Sequence, residues 1–190
     1  MKHNLNPRIL IDWFDNFDGE NPYSFLSNFH EGDPFYFHNR EFATAEHAYA
    51  WEKIDALDPL WKEWSDLVDG AADPGEAKGI GRKAPLVANW DINKFGVMRE
   101  IVYAKFIQHD HLQQKLLDTD QAWLQQGTYW NDRVWGVDMT FSVNPFMRPG
   151  FNMMGSILME TRSRIWAGKT ITAFGLDKEY GGISECDYQK

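Results

Sequence analysis

The chain of 190 residues holds a single cysteine, Cys186. One thiol excludes an intramolecular disulfide, a Cys-rich zinc site and a paired-thiol redox centre. No apolar run approaches the roughly 20 residues that a membrane-spanning helix needs. The opening Met1-Lys2-His3-Asn4-Leu5-Asn6-Pro7 lacks the apolar stretch of a secretion signal. The expectation is a soluble, cytoplasmic protein with no membrane partner. Positive charge is also scarce: 19 Lys and Arg stand against 28 Asp and Glu, a formal net charge of −9. Gripping long nucleic acid through its backbone takes a basic stripe, so that partner is not expected, although a local basic pocket for one or two phosphates is compatible with the balance. His3, His30, His38, His109 and His111 show no metal-cage spacing, and His47 on a half-buried helix face reads as a structural residue. No metal and no other cofactor is expected.

What the chain has in excess is aromatic rings, 15% of its residues. Most must be core, because rings bury large apolar areas; Trp90 and Trp135, in polar surroundings, are the candidates for stacking on a base or flanking a sugar.

Strand signals are few and early. Ile9-Leu10-Ile11-Asp12-Trp13-Phe14 is a short run rich in strand formers, and Pro34 to Phe37 followed by Glu41-Phe42 reads as a strand region or hairpin. From Ala45 onward the pattern is helical. Asp58-Pro59 and Asp73-Pro74 each pair a good N-cap with proline in the first helical position, so a helix should start at both. Phe95, Met98, Ile101, Val102 and Phe106 recur at helical spacing, with Lys94, Arg99, Glu100 and Lys105 outside the stripe. Residues 111–117 and 152–166 read as two further helices. The fold class is therefore α+β, mostly α-helical, a single domain with a few short N-terminal strands. Its boundaries are placed at residues 1–168, with 169–190 as a peripheral C-terminal extension. No strand leads into a Gly-rich helix start, so a dinucleotide fold is not supported.

The segment from Phe42 to Ile54 carries the most chemistry. Lys53 lies seven positions after Glu46, nearly two helical turns at about 100° per residue, which puts both side chains on one face about 10.5 Å apart along the axis. Thr44 is the expected N-cap, so Glu46 falls in the first turn, where an ionised carboxylate is favoured. Ala50, between them on the stripe, leaves room above the backbone. The plainer alternative is an amphipathic helix with two solvated charges. Lys78 and Arg82 at i, i+4, with Lys83, can hold a phosphate or simply form the basic end of a helix; Gly79 and Gly81 weaken that helix and permit close backbone approach. Asp132 and Trp135 sit in a turn that places a carboxylate beside an indole, or forms an Asx-turn with a core ring. Asn152 could cap a helix, and Arg162 could bind a surface carboxylate.

Taken together, Phe25-Leu26-Ser27-Asn28-Phe29, Thr44-Ala45-Glu46-His47 with Lys53, Ala77-Lys78-Gly79-Ile80-Gly81-Arg82, Asn89-Trp90-Asp91, Met98 with Lys105-Phe106, Asp132-Arg133-Val134-Trp135-Gly136, and Asn152-Met153-Met154-Gly155 with Leu158-Met159 and Arg162 resemble the NADAR superfamily, in family order. The resemblance spans roughly residues 9 to 166. It implies a mostly helical domain that cleaves N-glycosidic bonds of ribose without a metal. The substrate would be a small phosphorylated ribosyl compound of the riboflavin pathway or an ADP-ribosylated guanine nucleotide. By the same resemblance Glu46, Trp90, Asp132 and Trp135 match site positions, and Lys53 matches a position associated with a covalent sugar intermediate. Glu46, Asp132 and Lys53 are the candidate catalytic residues. Asn28, His47, Lys78, Arg82, Trp90, Trp135, Gly136, Asn152 and Arg162 are the candidate substrate-binding residues. Ala50, Trp51 and Glu52 depart from the Gln-Ala-Gln common before the lysine, and Met153-Met154 departs from the Asn-x-Leu-Gly stretch. The alternative function is a non-catalytic module that binds ADP-ribose or a related nucleotide; it would need aromatic walls and a phosphate grip but no acid and amine pair.

Overall fold

The computed structural model describes residues 10–14 and 21–173; Cys186, Ile9 and the tail beyond residue 173 lie outside them. In chain order the first half contains β1 (Leu10–Ile11), a 3-10 turn (Ser24–Leu26), β2 (Phe35–Phe37), β3 (Arg40–Phe42), α1 (Ala45–Glu52), α2 (Trp61–Asp69), α3 (Pro74–Gly81) and α4 (Trp90–Ile107). The second half adds α5 (Asp110–Leu117), β4 (Trp123–Leu124), β5 (Gly127–Thr128), β6 (Val137–Asp138), a 3-10 turn (Pro145–Met147) and α6 (Met153–Ala173). The class is α+β and mostly helical, as the periodicity predicts. No helix among the described residues is long and apolar enough to cross a membrane.

These elements group into two units, one built from residues 28–109 and the other from the described residues up to 27 together with 110–173. In the first, β2 and β3 form an antiparallel hairpin with Phe35 facing Phe42. Its two turn residues, His38 and Asn39, have φ of 46° and 61°. Two consecutive positive φ values are the geometry that matches the twist of a tight hairpin. Helices α1, α2 and α3 pack around Ala50, Ile54, Val68, Ala77 and Ala84, with Trp51, Trp61 and Trp64 closing the edge. Alanines at the contacts let the helix axes approach closely. Asp73 caps α3, accepting from Glu76 N at 2.9 Å, with Pro74 in the first turn.

In the second unit, Leu10–Ile11 pairs in parallel with Trp123–Leu124, and Gly127–Thr128 with Val137–Asp138. The two-residue strands of the later sequence leave no alternation to read, which is why strand signals are legible only near the N-terminus although β4, β5 and β6 lie beyond it. The unit is pinned by Arg148, whose Nη1 donates to Asp12 Oδ2 at 2.8 Å and to Gln125 Oε1 at 3.1 Å.

Four expectations need correction. Asp58-Pro59 does not start a helix: Asp58 Oδ1 accepts from Leu60 N and its carbonyl from Trp61 N, forming a turn before α2 begins at Trp61. An Asx-turn and an N-cap use the same side-chain oxygen, and here the turn wins. Lys105 lies inside rather than outside the α4 stripe, at 3% exposure. Ala50 leaves no room, being wholly buried against α3. Helix α6 runs past the expected residue 166 to Ala173.

Candidate active site

One group of the candidate residues is built on α1. Thr44 Oγ1 accepts from His47 N at 3.3 Å, the expected N-cap, and places Glu46 in the first turn. The carbonyl of Asn28 accepts from Glu46 N at 3.0 Å, so the loop after Phe25 is laid directly on the start of the helix. Asn28 Nδ2 in turn faces Met98 Sδ of α4 at 3.4 Å. The amphipathic alternative fails on burial: Ala45 to Ala50 are all buried, and Glu46 and Lys53 retain only 7% and 8% exposure. Two ionisable groups that deep are not solvated surface charges.

Lys53 closes α1 as its C-cap, and its carbonyl accepts from Val87 N at 2.9 Å, which fixes the backbone beneath the amine. Its Nζ stands 5.8 Å from the Tyr49 ring centroid. Burial pushes the Lys53 pKa below the ordinary lysine value; the Glu46 carboxylate opposes this, and the Arg82 and Lys78 cations reinforce it. Glu46, Lys53, Lys78 and Arg82 are therefore close enough to act on one another, as the sequence spacing predicts for each pair taken separately. Lys78 Nζ lies 5.2 Å over the Phe29 ring, and Arg82 is exposed. Of Gly79 and Gly81, only Gly81 faces a close neighbour: a Cβ there would meet Lys53 Cε at 2.5 Å, whereas one at Gly79 would meet nothing within 4 Å.

Trp90 opens α4 and is 8% exposed, tilted against Tyr49 with ring centroids 5.0 Å apart. Tyr49 thus touches both the candidate amine and the candidate aromatic wall, a link that its place on the Glu46 stripe could have flagged. Phe29 beneath Lys78 is a second residue that sequence reasoning passed over; its place in the Phe25-to-Phe29 motif was the available signal. His47 Nδ1 meets Thr44 Oγ1 at 2.8 Å and Nε2 meets the Ala71 carbonyl at 3.4 Å. A carbonyl can only accept, so Nε2 carries a proton there. The ring braces α1 against the loop before α3.

In the second unit, Asp132 Oδ1 accepts from Val134 N and Trp135 N at 3.1 and 3.0 Å, an Asx-turn that sets the indole of Trp135 next to it in sequence. Trp135 is half-buried. Gly136 follows where a Cβ would meet Thr128 Cγ2 at 2.8 Å, so only glycine lets this strand approach β5. Asn152, at φ 51°, does not cap α6 with its side chain: Oδ1 accepts from Gln126 N and Nδ2 donates to the Leu124 carbonyl, both at 2.9 Å. Arg162 Nη1 donates to Thr119 Oγ1 at 2.7 Å and to the Ala122 carbonyl at 3.1 Å, and the Asp120 carboxylate is near enough to act on its charge. Asn152 and Arg162 hold the segment between α5 and β5. The structure thus brings Asn28, Glu46, His47, Lys53, Lys78, Arg82 and Trp90 together in one unit and Asp132, Trp135, Gly136, Asn152 and Arg162 in the other.

Comparison with known proteins gives a consistent picture. The NADAR domain matches residues 16–166. An N-glycosidase of Nostoc punctiforme is 31% identical over 153 residues, covering 76% of this chain and 86% of that protein. The N-glycosidase YbiA of Escherichia coli (strain K12) is 32% identical over 145 residues, covering 75% and 82%. The NMR structure of the Escherichia coli protein YbiA superimposes with a TM-score of 0.70 at 29% identity, over 87% of this chain and 90% of that one.

Proposed function

The chain belongs to the NADAR family and is an N-glycosidase, and we propose that it opens the bond between ribose and an amine or base in a small phosphorylated ribosyl compound or an ADP-ribosylated guanine nucleotide. The observation that carries this reading is the burial of Glu46 and Lys53 on one short helix, with the Lys53 cation disfavoured by its surroundings. Departure of a base from C1 builds positive charge on the ribose. A buried carboxylate stabilises that charge far more strongly than one in water, and it can hold the attacking water. Glu46 takes this role.

Lys53 supplies the amine. Its lowered pKa raises the neutral, nucleophilic fraction near neutral pH. When the sugar ring opens, C1 is left as an imine of the departing amine; the Lys53 nitrogen adds to C1, its proton passes to that amine, and the amine leaves. Water then adds to the resulting lysine imine and restores both the free sugar and Lys53. Lys78 and Arg82 add two cations beside the pair, a local basic pocket in an acidic chain, and would hold the phosphate. Asp132, Trp135 and Trp90 stand as candidates for orienting ribose hydroxyls and flanking the sugar and base.

The test is to incubate the protein with ribosylaminopyrimidine phosphates and with ADP-ribosylated guanosine, with and without borohydride. Release of base, and a sugar adduct mapped to Lys53, are the expected results. Turnover that survives Glu46→Gln unchanged would refute the assignment of the carboxylate.

A further inference from the structure

Gly81 lies at the last position of α3, and its backbone faces the Lys53 side chain. A methyl group there would lie 2.5 Å from Lys53 Cε, 3.0 Å from Lys53 Nζ and 3.0 Å from Ala50 Cβ. The first distance is shorter than real carbon contacts allow, so a methyl group at 81 would displace the end of the Lys53 side chain. Gly79, two residues earlier on the same helix, has open space in the same test. The close approach to Lys53 is therefore specific to position 81.

We propose that Gly81 is a positioning residue whose missing side chain forms the slot that holds the Lys53 amine against α3. The inference rests on the reading of Lys53 as the reacting amine. It adds that the helix carrying the phosphate-holding cations also fixes the place of the nucleophile. Lys53 Cβ to Cε would otherwise swing away from Ala50, because the lysine stem is flexible and its backbone is pinned by the Val87 hydrogen bond. The groups that face the amine are Glu46 and the Tyr49 ring from α1, with Lys78 from α3 and Arg82 at its end. Moving the amine out of the slot takes it towards water. Solvation, the reverse of the burial that does most to lower its pKa, favours the protonated form, so the slot keeps the amine reactive.

The experiment is a pH titration of the Lys53 side chain by NMR, using the Cε resonance assigned through its loss in Lys53→Arg. It is run on the parent protein, Gly81→Ala and Gly79→Ala. Gly81→Ala should raise the Lys53 midpoint by about one pH unit, as expected for partial resolvation, and Gly79→Ala should leave it in place. An unchanged midpoint in a folded Gly81→Ala protein overturns the proposal. If Gly81→Ala is too unstable to titrate, thermal melting of Gly81→Ala, Lys53→Ala and the double variant decides. Removing the lysine stem should restore most of the lost melting temperature, and a double variant no better than Gly81→Ala overturns the proposal. Turnover assays separate this from the function assigned above: a shifted midpoint with turnover intact in Lys53→Arg leaves Gly81 as the lysine's positioning residue while removing Lys53 from catalysis.

Discussion

Arg148 Nη1 and Asp12 Oδ2 meet at 2.8 Å although 136 residues separate them, and the arginine side chain is fully buried. The same guanidinium donates from Nε to the Ser142 carbonyl at 3.1 Å. Breaking one side of a buried pair leaves the other charge without a partner, which costs more than the pair itself contributes. Arg148→Met should lower stability by about 3–5 kcal/mol, and Arg148→Met with Asp12→Leu by clearly less, measured by urea denaturation.

Asn152 spends both ends of its amide on the backbone of β4 and the residue after the next position, with a left-handed φ that asparagine tolerates well. Asn152→Ala should cost about 2–4 kcal/mol, from two buried backbone groups left unpaired plus the strained φ. Asn152→Gly relieves only the strain, so the two variants, compared by chemical denaturation, should differ while both fall well below the parent.

Catalysis by Glu46 and Lys53 makes separate predictions. Glu46→Gln keeps the shape of the carboxylate and removes its charge, and should lower kcat by about 10²–10³-fold, the size typical for losing one group aimed at developing charge. Because Lys53 must be neutral to attack, the rate should fall as pH drops through its lowered pKa, and that limb should be absent from any residual activity of Lys53→Met. Steady-state rates across pH 5 to 10, roughly the range in which lysine ionisation can matter, check both.

Lys105 gives a pH dependence of stability unrelated to turnover. Burial lowers its pKa from 10.5 to about 7, with Asp33 opposing the shift. Between those values the unfolded chain binds a proton that the folded chain does not, so this group makes stability rise with pH from about 7 to 10.5. Below about 7 both states carry the proton and the cost of the buried charge is constant. Lys105→Met should therefore stabilise the protein on the order of 3 kcal/mol more at pH 6 than at pH 10, measured by denaturant titration at each pH.

The sequence told the helices from their caps and periods. Asp73-Pro74 and Thr44 start helices where their side-chain oxygens find the expected amides, and the Phe95-to-Phe106 stripe is a core helix. It also put Glu46 and Lys53 on one face. It could not tell that this face is buried, because α1 is covered on all sides and its alanines read equally well as a gap or as a tight contact. Lys105 was misplaced for the opposite reason: periodicity assigns charged residues to the outside, and only tertiary packing buries one. Asn152 and Arg162 were visible as polar residues in the right order, but their use as backbone clamps depends on strands two residues long, too short to signal themselves.

The pairing of Leu10–Ile11 with Trp123–Leu124 also sets an order of events during synthesis. Among the described residues, 28–109 supply their unit from one continuous stretch, so its helices can begin to pack before α5 has been made. The strand made first has no partner until more than a hundred further residues have been translated, and its apolar side chains are exposed throughout that interval. Leu10 and Ile11, both buried in the finished fold, are thus covered only after β4 has been made.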